Sequence, residues 1–312
     1  DGWADGFEHG IQYWEIWNEP EIGRPMWSGT LQEYYELYRT AATAIKDYDP
    51  SLKVGGPAAT SPRSRIVRPF LAYCRDHDVP LDFLSWHCYS GRAGEPKRRA
   101  EIARRRLDEY GFKDAESHCN EWHLMDAKWS DLRPGNARDY DNLGRTFERL
   151  CGVEGAAFAA SALILLQDAP LDVGNYYTGD IGRWGLFDRY GSPRKSYYAF
   201  RAFNELVGAP RRVAVKGDGL SEEGVVCCAG ITEEGDAARV LLSNHRGKRT
   251  DWKLNLRHLP WQGGTRIDIV ATDVKHSFES LGKRRVGGNS ASLPVNIPRH
   301  SVRLVRLSRA QG

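Results

Sequence analysis

"YWEIWNEPE", residues 13–21, decides how the rest of the chain is read. Its apolar and aromatic run, with Glu15 alternating between Trp14 and Ile16, has the character of a strand, and Asn18-Glu19-Pro20 ends it. A carboxylate directly after a strand, beside an amide and a proline, is where an α/β protein places its chemistry.

Downstream, short apolar runs alternate with amphipathic stretches up to about residue 208, the pattern of repeated β–α units and a parallel sheet. Five candidate strands stand out: "IQYWEIW" (11–17), "LKVGGP" (52–57), "DFLSWHCY" (82–89), "AESHCNEW" (115–122) and "GAAFAASALILL" (155–166). In "TLQEYYELYRTAATAIKDYDP", Leu31, Tyr34, Tyr38, Ala41, Ile45 and Tyr48 recur at steps of three and four, which predicts a helix. Thr30 with Glu33 predicts its capping box, and Asp49-Pro50 its stop. Further helices are expected near 64–77, 96–110, 136–151 and 193–207. From residue 210 the helical period gives way to alternating runs between Gly-, Pro- and Asn-rich turns, as in an antiparallel β-sandwich. The charge changes at the same place, with 18 Lys and Arg against 10 Asp and Glu from there onward. Two domains are therefore expected, 1–208 and 209–312.

In a parallel sheet or barrel, functional side chains sit at the C-terminal ends of the strands. The first candidate strand ends in Asn18-Glu19, the third in His87-Cys88-Tyr89 and the fourth in Asn120-Glu121-Trp122. The fifth leads through Gln167-Asp168 into a long aromatic loop containing Trp184. Two carboxylates at equivalent strand ends suit glycoside hydrolysis, which needs one acid to protonate the leaving oxygen and one carboxylate to attack or to activate water. Trp17, Tyr89, Trp122 and Trp184 suit the apolar faces of a sugar ring. Glu15 is expected in a structural salt bridge, His87 and His123 either as scaffold or as substrate contacts, and the arginines at 98, 99, 104, 105 and 106 as a solvated helix face rather than a nucleic-acid patch.

The six cysteines show neither CxxC nor Cys/His spacing for zinc and are expected as buried free thiols. No run of about 18 apolar residues is seen, so no membrane association is expected. No leader-like segment opens the sequence, and compartment is left open between cytoplasm and secretion.

At these residues the chain resembles the retaining glycosidases built on the (β/α)8 barrel. "YWEIWNEPE" looks like their strand-four signature and "SHCNEWH" like the strand-seven partner. With "VGGPAAT" (54–60), "DFLSWHCYS" (82–90), "GLFDRYGSPRKSYYAF" (185–200), "LLSNHR" and "IPRHSVRLVRL", the chain is most similar to glycoside hydrolase family 39, the β-xylosidase and α-L-iduronidase group. The resemblance implies Glu19 as general acid/base and Glu121 as nucleophile, with Asn18 on the neighbouring sugar hydroxyl. It implies that Tyr89 holds the nucleophile, that His87 lines the subsite and that Trp184 is a stacking platform; Trp122, beside Glu121, is expected to contact substrate, and no metal or cofactor is expected. Two His and a Trp around Glu121 depart from the family's usual small residues and put a xylosidase-type pocket in question.

A full barrel places three βα units before the acid/base strand, whereas ten residues precede it here. The expected fold is therefore α/β plus all-β: a partial (β/α)8 barrel, strands four to eight, followed by an antiparallel β-sandwich. The expected partner is a glycoside, with a homo-oligomer covering the open barrel edges. An endo-acting cellulase or mannanase on the same barrel, and a non-catalytic carbohydrate-binding remnant, stay open.

Overall fold

The computed structural model describes residues 9–132, 135 and 137–310. The chain forms two compact units. One runs to Cys88 and takes in Pro96–Trp122 and Ala169–Tyr176; the other comprises Tyr89–Glu95, His123–Asp168 and the chain from Tyr177.

In the first unit, β1 (Tyr13–Glu15), α1 (Leu31–Tyr48), β2 (Lys53–Ala59), α2 (Val67–Asp76), β3 (Phe83–Ser90), α3 (Glu95–Glu109) and β4 (Glu116–Leu124) follow the expected β–α alternation. Their sheet is completed by β5 (Val173–Tyr176) in the order β1-β2-β3-β4-β5. The β1–β2, β2–β3 and β4–β5 pairs are parallel. β2 and most of β3 are buried, as parallel strands with helices on one face and a filled interior on the other must be. α1 starts as the sequence requires: Thr30 Oγ1 accepts the Glu33 N–H at 3.2 Å, and Glu33 Oε2 accepts the Thr30 N–H at 2.7 Å. Its buried face is Tyr34, Tyr35, Tyr38 and Ala42. Tyr48 is 87% exposed, because a 3.6-residue period carries it off that face by the fourth turn.

The second unit carries α4 (Ala137–Cys151), α5 (Val153–Leu166) and α6 (Lys195–Asn204) and then eight strands. These are β6 (Arg211–Val213), β7 (Val225–Ile231), β8 (Ala237–Asn244), β9 (Asp251–Leu256), β10 (Thr265–Thr272), β11 (Ser277–Val286), β12 (Ala291–Asn296) and β13 (Ser301–Arg309). They form a sheet ordered β11-β10-β13-β8-β7-β6 and an antiparallel pair β12-β9. Val240, Leu242, Ile267, Val305 and Leu307 of the large sheet share one core with Leu256, Leu293 and Val295 of the small one. That is a sandwich.

The segment 155–166 is the clear correction: it is the helix α5, not a strand. An apolar run without period cannot separate the two states. Five alanines between 156 and 162, in a run longer than most strands, favour helix. A Cβ on Gly155 would lie 1.8 Å from the Leu150 carbonyl oxygen, so this tight α4–α5 corner requires glycine. Asp139–Leu166 is long and apolar enough to cross a membrane by length and composition, but 61% of its most apolar window is buried. α5 packs against α6, β7, β8 and β13, which accounts for a helix apolar on every side. All six cysteines are free thiols, and all but Cys227 are buried.

The capping box gives a direct test of α1. Thr30→Ala should cost about 1 kcal/mol in urea unfolding and Thr30→Ser almost nothing; equal loss in both would show that the cap does not hold the helix.

Candidate active site

The carboxylate site is assembled from strand ends that depart from regular geometry. After β1 the chain enters the left-handed region at Trp17 (φ 71°) and Glu19 (φ 45°), and Ala58 in β2 does the same (φ 50°). These are unfavoured conformations for side chains of this size and persist only where surrounding contacts enforce them. Those contacts are present. The Glu19 N–H donates to Ala58 O (3.2 Å), the Tyr34 hydroxyl to Ile16 O (3.0 Å) and the Trp17 indole N–H to Met26 O (3.0 Å). Glu21 accepts both the N–H and the hydroxyl of Thr60, at 2.7 and 2.8 Å, so the last glutamate of the motif is a brace.

Glu121 sits on an irregularity in β4. Cys119 pairs with Gly174 and Trp122 with Tyr176, three residues matched to two. An extra residue of this kind re-aims the side chains beside it. Glu121 is half-buried, whereas Trp122 is completely buried with its ring edge-on to Tyr176 at 5.0 Å. Trp122 therefore packs in the core, where no ring face is exposed.

His87, fully buried on β3, joins the two acids. Its Nδ1 lies 2.7 Å from Glu19 Oε1 and 3.5 Å from Glu121 Oε2. Facing two carboxylates, Nδ1 is the ring nitrogen that carries hydrogen. Donor atoms of Glu19, His87 and Glu121 all lie within 4.8 Å of one another, a spacing that would also admit a divalent cation. Asn18 is half-buried next to Glu19 along the chain.

Sequence reading missed the supports of this group. Asn120 Nδ2 donates to both carboxylate oxygens of Glu15 at 2.6 Å, so Glu15 is held by an amide where a salt bridge was expected. Glu15 lies on an exposed strand, yet crowding of its carboxyl by protein raises its pKa. The nearby charge of Glu121 adds to the rise, while Ser85 and His87 oppose it. Arg99 is not a solvated charge: its guanidinium donates to His87 O at 3.1 Å from α3. Arg104 likewise donates to the carbonyls of Ala115 and Phe112, both at 2.7 Å. The polar alternation Glu116-His118-Asn120 was the available signal, since a half-buried strand facing an interior of carboxylates shows it at every second residue.

In the second unit, Tyr89 and Trp184 come together with their ring centroids 6.0 Å apart. Trp129 packs 5.2 Å from Tyr89 and is 56% exposed, and Tyr177 packs 6.3 Å from Tyr89. Neither was singled out from sequence, because Trp129 opens a four-residue 3-10 turn and Tyr177 follows β5, both outside the predicted elements. His123 is fully buried, donates Nδ1–H to Leu124 O at 2.9 Å and meets the Trp184 ring edge-on. It is scaffold.

Residues 8–116 match the model of glycosyl hydrolases family 39. A β-xylosidase of Caldicellulosiruptor saccharolyticus is 29% identical over 258 residues, covering 75% of this chain and 48% of its own length. A β-xylosidase of Geobacillus stearothermophilus is 40% identical over 83 residues, covering 27% of this chain and 16% of its own. The chain thus spans about half or less of these relatives. Among solved structures, a glucosidase from Croceicoccus marinus superposes with a TM-score of 0.82 at 28% identity, covering 99% of this chain and 71% of that one. The family 39 enzyme from Xanthomonas axonopodis pv. citri superposes with a TM-score of 0.74 at 17% identity, covering 97% and 70%, which speaks to fold alone. With such neighbours, the five-stranded sheet is part of a TIM-type barrel and the antiparallel sheets are its accompanying sandwich.

Burial lowers the His123 pKa to about 4, from 6.5 for the free side chain, against the opposing pull of the Leu124 and Trp184 carbonyls. A base depressed in the folded state protonates first in the unfolded one. Its contribution is therefore intact above pH 6.5 and is lost as pH falls toward 4, by about 3 kcal/mol. Urea unfolding at pH 7 and pH 4.5 should show a smaller pH-dependent loss in His123→Asn than in the parent; identical losses would assign the acid sensitivity elsewhere.

Proposed function

We propose that this chain, a relative of glycosyl hydrolases family 39, carries the two-carboxylate centre of a retaining glycosidase acting on β-linked, xyloside-like glycosides. The observation that carries the reading is the approach of Glu19 and Glu121, from the ends of two strands, to one imidazole nitrogen at 2.7 and 3.5 Å. Oxygens within 4.8 Å support a carboxyl separation nearer the roughly 5–5.5 Å of direct attack on the sugar than the roughly 6.5–9.5 Å that an inverting enzyme uses to admit water.

In this mechanism Glu121 attacks the anomeric carbon while Glu19 delivers a proton to the departing oxygen. Glu19 then takes a proton from water as that water displaces Glu121. His87 positions both acids and, by holding a hydrogen between them, lowers the cost of two neighbouring negative charges. Asn18 is assigned to the hydroxyl beside the reacting carbon, and Tyr89 and Trp184 to sugar recognition through their ring faces. We assign the parallel strands to strands four to eight of a barrel, with 1–208 as the barrel portion and 209–312 as the sandwich. Every parallel strand precedes residue 208 and every sandwich strand follows 210, although the two compact units divide the chain along other lines. Association with a second copy along β1 or β5, the edges of the sheet, belongs to the same reading.

A glucoside is the second substrate reading, because the Croceicoccus marinus structure described as a glucosidase is 28% identical over nearly all of this chain. Aryl β-xyloside and aryl β-glucoside turnover separates the two. Glu121→Gln should abolish turnover of both, and Glu19→Gln should cut kcat/KM by about 10²–10⁴-fold, least with the best leaving groups. Turnover unchanged in either variant would remove that glutamate from the mechanism, and cleavage of polymer but not of aryl glycosides would make the enzyme endo-acting.

A further inference from the structure

A second cluster of donors lies within the second unit, built by three elements. β8 and β13 are antiparallel neighbours with Asn244 opposite Ser301, so the next residue on each, His245 and His300, face one another across the strand ends. Their ring centroids are 6.0 Å apart. The first turn of α5 adds Glu154, whose Oε1 is 3.9 Å from His245 Nε2, while Phe158 one turn later packs edge-on to the same imidazole at 5.5 Å. The Ser243 hydroxyl donates to Ala157 O at 2.8 Å and fixes helix against strand. One donor atom from each of Glu154, His245 and His300 lies within 4.8 Å of the other two.

The unusual feature is His245. It is completely buried, yet both of its ring nitrogens are without a hydrogen-bond partner among the described residues, and so is His300 Nδ1. Buried polar atoms are paired in almost every folded protein, and each that is not carries a desolvation cost. A bound atom that accepts the imidazole lone pairs removes it. We propose that Glu154, His245 and His300 form a structural site for a transition-metal dication of the zinc class, which ties α5 to the ends of β8 and β13. Two imidazoles and one carboxylate are the donor set of zinc and its neighbours, not of calcium or magnesium, which take oxygen.

The charged side chains around the cluster nearly balance one another before an ion enters. Arg149 pairs with Asp126 and with Glu154 (3.1 Å), and Arg246 with Asp126 (3.2 Å) and Glu154 (3.6 Å), so two guanidiniums stand against two carboxylates. Arg299 adds one further positive charge from an exposed position, where solvent screens it. Burial first, and then Arg246, His300 and Arg299, lower the His245 pKa to about 3, so its ring is neutral with a lone pair available at physiological pH. A tetrahedral site with bonds near 2.0–2.1 Å brings its donors to about 3.3 Å from one another. Rotation of the three side chains, with water in the fourth position, supplies that contraction.

The test is zinc binding by the untagged, metal-stripped 312-residue chain, titrated in competition with a chromophoric chelator and followed in parallel by thermal unfolding. One zinc should bind, with a rise in Tm, in both the parent and His87→Ala. The affinity should fall in His245→Ala and in His300→Ala by more than the roughly 10–100-fold that loss of an outer-shell partner costs. Cobalt(II) should give the visible bands of a tetrahedral nitrogen and oxygen site without thiolate charge transfer, a readout that needs no variant. No binding at micromolar zinc, which would leave ordered water as the partner of His245, overturns the proposal. So does binding unchanged in both histidine variants, or binding lost in His87→Ala and kept in His245→Ala. None of these outcomes depends on glycosidase activity.

Discussion

One imidazole nitrogen facing two carboxylates is the constraint on which the carboxylate site depends. Glu19 and Glu121 arrive from strands separated in the sheet by β2 and β3, and like charges this close repel unless something lies between them. His87 Nδ1 does so from a fully buried position. Burial removes the ring's freedom, and the Arg99 guanidinium on the His87 carbonyl oxygen holds the strand beneath it. The chemistry therefore rests on β3, which contributes neither acid.

Regular strands would not deliver this arrangement. Glu19 is aimed by a left-handed backbone that the Ala58 carbonyl and the Tyr34 and Trp17 hydrogen bonds stabilise. Glu121 is aimed by the extra residue in β4. Lys53 and Glu116 pair on the same sheet, and the His118 ring meets Glu116 and stacks 4.3 Å from Phe83. Polar side chains lining the sheet in this way accommodate a carboxylate such as Glu15 at the cost of raising its pKa.

Much of this was legible in the sequence, for reasons that differ from element to element. The end of β1 announced itself through Asn-Glu after an aromatic run, the site on β4 through a second Asn-Glu followed by Trp, and α1 through its capping box. α5 was misread because a segment buried on all sides has no hydrophobic period to report. β5, "VGNY", is too short and too polar to read as a strand. β11 is hard to read from sequence because it is a sheet edge carrying Lys283, Arg284 and Arg285, the charges with which edges resist further pairing, and such a strand has no apolar face. The burial of Trp122 was not legible, because a one-residue irregularity, invisible in sequence, breaks the alternation of faces between Cys119 and Trp122. Arg99 looked solvated because only the tertiary fold shows which carbonyl a long side chain reaches.

The most direct measurement is the mass of the chain after incubation with an activated 2-deoxy-2-fluoro-β-xyloside, whose sugar attaches to a nucleophile and is then released slowly. The two-glutamate account predicts one sugar added per chain, on the peptide containing Glu121, and none in Glu121→Gln. A label on any other residue, or no label while the unmodified xyloside is hydrolysed, would contradict it.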